Sequence, residues 1–275
     1  MTTSPDDAVA QFTEQGFVLL KQAVPDSVVA TLDAAVRKLT DDREPDLTHS
    51  SFNSNPALTH VRDAANILAE YQLLFDCGAL MSVPHRILGG SLQVLGSEVL
   101  RRGIYPQAHE PWHRDSGSYL ERPYDDRNGP LHLKVQVFFT DTRPNDSGNL
   151  VLIPGSHRWP ANHKDDAYWR TANTALAQGV LPEGAMSIQA EPGDAVVFGN
   201  TMWHAVRPNQ TQERRSAIIR FGQAWLRPYD HLCDPTTAAA HLTTQSRRLL
   251  GYHSAEVNPV DLYKDATSTE SWGAR

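Results

Sequence analysis

The chain has 275 residues, 40% of them hydrophobic and 21% charged, with both signs interspersed, which excludes a chain disordered along its length. Its net charge is −7 and it lacks a basic stripe, which argues against nucleic acid as a partner. Two cysteines, Cys77 and Cys233, make neither a disulfide framework nor a cysteine-rich zinc site, and no apolar run nears the ~18 residues of a membrane span. The opening Met1–Asp7 has neither the basic nor the apolar region of a secretion signal, so a cytoplasmic protein is expected.

Gly16–Lys21 is short, β-prone and bounded by glycine, and reads as a strand. After Pro25, the apolar residues Val28, Leu32, Ala35, Val36 and Leu39 recur at spacings of three and four, which predicts an amphipathic helix. Residues 41–58 are rich in Pro, Asn and Ser and form a loop. Helical patterning returns from about Arg62 to Leu88, with breaks expected near Gly78 and Pro84. From Ser91 the texture changes to short β-prone runs at 91–101, 131–140, 148–153, 185–189, 194–198, 202–207 and 215–225. Turn clusters such as Asn128-Gly-Pro and Glu191-Pro-Gly-Asp separate them, a pattern that suits a sandwich or jelly roll. A Trp-rich insertion, 159–180, interrupts the series, and the tail turns helical at about 235–250. The expectation is one mostly β domain with helical flanks: N-terminal support over about 25–90, a core over about 91–225 and a helical tail over 226–275.

Two His-x-Asp units occur, His113-Arg-Asp115 and His163-Lys-Asp165, where 12 His and 21 Asp give about one by chance. On a strand, residues two apart point to one face and can share a metal. His163 lies in a polar stretch without strand pattern and reads as a solvated loop; His113 enters the β-rich half. Downstream, Glu191–Arg207 reads as a turn, a buried strand, a second turn and a strand carrying His204. Arg215 follows on the next strand, on the side of Ala217, Ile219 and Phe221, where it needs an anion, either a protein carboxylate or a ligand. Two histidines, one aspartate and an arginine suit one iron chemistry: the side chains hold Fe(II) on one face, leave open positions, and the arginine grips an anionic chelator.

These elements resemble the phytanoyl-CoA dioxygenase family of Fe(II)/2-oxoglutarate oxygenases over roughly residues 10–255. The likeness rests on Phe12-Thr-Glu-Gln-Gly-Phe-Val-Leu-Leu, Trp112-His-Arg-Asp115, Phe139–Leu150, Ile153-Pro-Gly-Ser-His157, His204 with Arg215, and Arg247-Arg-Leu-Leu-Gly. The resemblance implies a double-stranded β-helix (jelly roll, cupin-like) core. It implies His113, Asp115 and His204 as catalytic iron ligands, and Arg215 as the clamp on the far carboxylate of 2-oxoglutarate. Arg214 competes for that role from the opposite face, one position off the family spacing. Lys134 matches a family position near the cosubstrate; His132, Lys134 and Gln136 share a face that lines a cavity or lies at a solvent-facing edge. Cofactors are then Fe(II), 2-oxoglutarate and O2, and the substrate is a small molecule. The presence of Asp115 favours hydroxylation over the halogenation of relatives that lack this carboxylate. Two other readings stand beside it: a catalytically silent jelly-roll binder and a zinc hydrolase. His157 reads better as a loop-holding residue than as a ligand. Trp112, Trp203 and Trp225 wall the pocket or pack the core, and the insertion and tail are expected to act as lids.

Overall fold

The computed structural model describes residues 4–41, 55–115, 129–160, 162–228 and 239–252. An N-terminal helix, α1 (Pro5–Gln15), starts at Ser4, whose side chain accepts from Asp7 N–H, with Pro5 in the first turn. It stops at Gly16, which adopts φ 84°. Strand β1 (Phe17–Leu20) and helix α2 (Asp26–Asp41) follow, the latter burying Val29, Leu32 and Val36.

The stretch expected to be helical from Arg62 begins differently. Leu58–Arg62 is a strand, β2, and the helical residues come in pieces: α3 (Ala64–Ile67), a 3-10 turn (Ala69–Leu74) and α4 (Gly78–Leu88). Pro84 lies inside α4 and does not end it. The β half then supplies β3 (Leu92–Arg102), β4 (Glu110–His113), β5 (His132–Phe138), β6 (Leu150–Leu152), helix α5 (Asp166–Ala177), β7 (Met186–Ser187), β8 (Ala195–Gly199), β9 (His204–Val206) and β10 (Arg214–Gln223). A short helix, α6 (Thr244–Leu249), closes the described chain. The expected loop at 41–58 and the helical start at 235 fall mostly outside the described residues.

Two antiparallel sheets result, a larger one ordered β1-β8-β5-β10-β3-β2 and a smaller one ordered β4-β9-β6-β7. Strand alternation gives each a face for a different partner. Odd-numbered residues of β5 and β10 (Leu133, Val135, Val137, Ala217, Ile219, Phe221) join the core built with α1, α2 and α4. The even-numbered face turns toward the smaller sheet. Over β1, β8 and the Phe138 end of β5 it is apolar, and Phe17, Phe138, Val196 and Phe198 pack against Leu150, Leu152 and Val206; His132, Lys134 and Gln136 make the rest of β5 polar. Over β10, β3 and β2 the same face is charged.

Helix α5 lies behind the smaller sheet, on the face away from the larger one. Ala172 and Leu176 pack there with Trp112, Val151 and Ala205, and Asn173 Oδ1 accepts the Trp112 backbone N–H at 2.8 Å. Trp169 stacks on Trp203 with centroids 3.5 Å apart and meets Trp112 at 6.3 Å. The insertion is therefore helical, but it buttresses the smaller sheet from outside and is no lid over its inner face. The tail residues 241–246 hydrogen-bond to Gln72 and Phe75 on the helical side. Trp225 is 59% exposed and walls nothing.

Candidate metal centre

The ladder between β4 and β9 pairs His113 directly with His204, so both imidazoles project from neighbouring strands onto the inner face. Their ring centroids are 4.2 Å apart. Asp115 follows β4 in a turn; its Oδ1 lies 3.9 Å from His113 Nε2 and 3.8 Å from His204 Nε2. One donor atom from each of these three residues falls within 4.8 Å of the others, the one such grouping among the described residues.

The hydrogen bonds fix which nitrogens face inward. His113 Nδ1 is 2.7 Å from the Pro111 carbonyl and His204 Nδ1 is 2.9 Å from the Met202 carbonyl. Each Nδ1–H donates to the backbone, which leaves the Nε2 lone pairs for a metal. Burial, then the charge of His113, pushes His204 down to about 3, so its imidazole is neutral. Burial opposes ionisation of Asp115, but the Lys134 ammonium, with the two histidines behind it, outweighs that and holds the carboxyl well below its usual range. Both Asp115 oxygens have Lys134 Nζ as an ion-pair partner. Two imidazoles with inward Nε2 atoms and one ionised carboxylate fit a divalent ion of the Fe(II) type.

Lys134 sits on β5, in the middle of the larger sheet, and is 5% exposed, so its face is interior and not a solvent edge. Its Nζ is 2.8 Å from both Asp115 oxygens and 3.5 Å from His204 Nε2. Arg215 behaves otherwise. Odd-numbered, it points to the helical side of the sheet, where Asp33 of α2 receives its Nε and Nη2 at 2.5 and 3.1 Å, and Glu213 receives Nη1. The anion this arginine needed is a protein carboxylate, and the structure does not bring Arg215 to the His–Asp–His cluster.

Arg214 takes the inner face. It is 1% exposed, lies over the Phe138 ring and donates one bond, to the Gly148 carbonyl. Its Nε and Nη2 have no partner among the described residues. Arg102, opposite it across the ladder, is 2% exposed with Nε and Nη1 likewise without partners. The carboxylate near both is Glu110, which is bonded to Arg102 Nη2. Burial, then Arg102, pulls Arg214 down to about 9, as befits a cation short of counter-charge. Sequence reading missed Arg102 and Glu110, since neither stands in a motif.

His157 is buried beneath Gly16, its Nε2 3.3 Å from the Thr13 carbonyl, and holds the loop that receives β1. His163 stacks on Trp159, while Asp165 caps α5, so the second His-x-Asp forms no cluster.

Comparison with solved structures finds the same architecture. HygX from Streptomyces hygroscopicus, with nickel and 2-oxoglutarate bound, superposes with a TM-score of 0.63 at 16% identity, covering 81% of this chain and 89% of that one. The epimerase SnoN from nogalamycin biosynthesis, described as non-heme and alpha-ketoglutarate dependent, gives 0.59 at 20% identity, with coverage of 80% and 83%. Dioxygenase cdmA of Talaromyces verruculosus is 24% identical over 293 residues, spanning 99% of this chain and 92% of its own length. A jelly roll with two histidines and an aspartate gathered on its inner face is the framework of the Fe(II)/2-oxoglutarate-dependent dioxygenases. The phytanoyl-CoA dioxygenase (PhyH) family model matches residues 12–217, and the chain belongs to that family.

Proposed function

We propose that this chain hydroxylates a C–H bond of a small biosynthetic molecule, with His113, Asp115 and His204 holding the iron and Arg214 anchoring the cosubstrate. The observation that carries it is the cluster itself: three ligand side chains with both Nδ1 atoms tied to backbone carbonyls, beside buried guanidinium N–H groups that lack acceptors. Fe(II) with 2-oxoglutarate and O2 supplies the oxidising chemistry when bound, releasing succinate and CO2.

The chain's own groups do the rest. The Met202 and Pro111 carbonyls keep both imidazoles in the tautomer that offers Nε2. Lys134 keeps Asp115 ionised and adds positive charge where an acidic chelator arrives. Arg214, supported by Arg102, offers N–H groups that find no acceptor among the described residues, and the far carboxylate of 2-oxoglutarate has the chemistry to meet them. Arg214 therefore replaces Arg215 in the role of clamp. The apolar packing of Phe17, Phe138, Val196 and Phe198 keeps water from that half of the interior.

HygX has been solved with hygromycin B bound, and SnoN serves nogalamycin biosynthesis, which supports a small-molecule substrate here too. The chain is proposed to work as one domain in the cytoplasm; no helix among the described residues is long and apolar enough to cross a membrane. The test is an anaerobic titration of the Fe(II)-loaded protein with 2-oxoglutarate, following the charge-transfer band of bidentate chelation. The band is expected in the wild type and lost in His204→Ala and Asp115→Ala. Iron-loaded wild type without a band overturns the reading.

A further inference from the structure

The charged half of the inner face extends beyond the groups used so far. Ladder register places Arg62 of β2 beside Glu98 of β3, and Arg220 of β10 beside Lys134 of β5. Glu98 is 3% exposed and serves two partners: His60 Nε2 at 3.0 Å and Arg220, with which it is in direct contact. Arg62 has no carboxylate within ion-pair distance and no partner for its buried Nε among the described residues. Between this group and the Arg102–Arg214 pair lies an apolar strip, Leu58, Leu100 and Ile218. His60 cannot supply the missing negative charge, and burial next to Arg220, Arg102 and Arg62 keeps its ring neutral.

The charge count has a direction. Among the described residues, Arg62, Arg102, Lys134, Arg214 and Arg220 face Glu98, Glu110 and Asp115, an excess of two positive charges. A divalent metal and a dianionic cosubstrate cancel, so the excess survives loading. Two parts of it are spatially distinct. The far carboxylate of the cosubstrate answers Arg214, but nothing in that assignment reaches Arg62, which lies three strands from Lys134 across the sheet. A partly buried guanidinium without a counter-ion is costly unless an anion arrives to meet it.

From this we infer that the substrate is an anion: it carries a carboxylate or comparable acidic group, which docks on Arg62 with Arg220 beside it, and lays an apolar segment along Leu58, Leu100 and Ile218. The inference rests on the proposed oxygenase reading and specifies the substrate class of the same site. Glu98 and His60 act as positioning residues, because they hold Arg220 against the sheet and leave Arg62 to the ligand.

The test uses acetate as a probe of the acidic group and Mn(II) in the metal site as a paramagnetic reporter. With 2-oxoglutarate saturating and O2 excluded, the relaxation of acetate methyl protons is measured against a Mg(II)-loaded control. Wild type is expected to show metal-dependent relaxation that saturates with acetate. Arg62→Gln is expected to weaken acetate binding by about tenfold or more, the loss of a charge-assisted contact, and Arg62→Lys to restore most of it. Relaxation in wild type no greater than in the Mg(II) control overturns the inference, as does an Arg62→Gln protein that binds acetate as wild type does. The charge-transfer band with Fe(II) is recorded on the same proteins. Its absence in wild type sinks the oxygenase reading itself; its presence in Arg62→Gln, with acetate binding lost, isolates the substrate site.

Discussion

Replacing Arg214 and Arg215, one at a time, by Met should separate the functions of two adjacent residues that face opposite sides of the sheet. Arg215 is bonded to Asp33 and Glu213, with side chains 6%, 17% and 31% exposed. Breaking a fully buried pair costs about 3–5 kcal/mol, and the solvent access of Glu213 and Asp33 brings that down to roughly 1–3 kcal/mol. At this chain length the loss lowers Tm by about 5 °C. It should leave 2-oxoglutarate affinity within about twofold, because the side chain points to the helical side. Arg214 inverts both effects. Its guanidinium is buried with two unsatisfied nitrogens, so an apolar residue of similar length should leave the Tm of the ligand-free protein level or higher. Loss of the anchoring charge should weaken 2-oxoglutarate by about 3 kcal/mol, roughly a hundredfold in Kd. The assays are thermal unfolding without ligand and the anaerobic charge-transfer titration. An Arg215→Met protein that folds as wild type yet fails to bind 2-oxoglutarate, beside an Arg214→Met protein that binds it normally, would refute the reasoning.

Other consequences are open to the same instruments. His60 and His109 are buried neutral, pushed down by burial to about 4 and about 3, from an ordinary value near 6.5. Their contribution to stability is therefore complete above pH 6.5 and is lost as pH falls toward those values, about 2 kcal/mol for each by pH 5. Tm should be flat above neutrality and drop between pH 6.5 and 5; a level profile over that window contradicts their burial as neutral rings. Gly16→Ala should lower Tm by several degrees without changing the metal band, since φ is 84° and the added Cβ would lie 2.4 Å from His157 Nδ1. An unchanged Tm would show that the His157 loop moves freely. Lys134→Met should weaken 2-oxoglutarate by about tenfold, through loss of one buried positive charge, and titration of the variant checks it.

Much of the site was readable from residue order. His113, Asp115 and His204 meet, as the resemblance to the family implied, and the turn clusters marked the strand ends closely. The face of Arg215 was also read correctly, as that of Ala217, Ile219 and Phe221. What local pattern could not say is which face of the central sheet turns inward. An apolar face is ordinarily taken as the inside, but here it meets the helices, and the polar face lines the interior. His132, Lys134 and Gln136 held that clue, and register completes it: Lys134 opposes Arg220, so even-numbered residues of β10, Arg214 among them, share its face. Arg62, Glu98, Arg102 and Glu110 were invisible for another reason. Each is an ordinary charged residue in its own segment, and becomes notable only when β2 and β3 pair in the larger sheet and β4 of the smaller sheet faces them. Strand β2 went unread because five residues running into a helical stretch have no period long enough to detect, whereas α1 did carry a signal, Ser4-Pro5-Asp6-Asp7, that patterning by hydrophobicity passes over.

Trp112 and Trp203 immediately precede His113 and His204, and both turn to the outer face, where each meets Trp169. One indole on a helix remote in sequence is thus wedged behind both imidazoles like a shim behind a pair of bearings. The β4–β9 ladder sets His113 opposite His204, and the indole backs the two strands that carry them. The two histidines are carried by the smaller sheet and the proposed substrate contacts, Arg62, Leu58, Leu100 and Ile218, by the larger one, so substrate range and metal choice can drift independently.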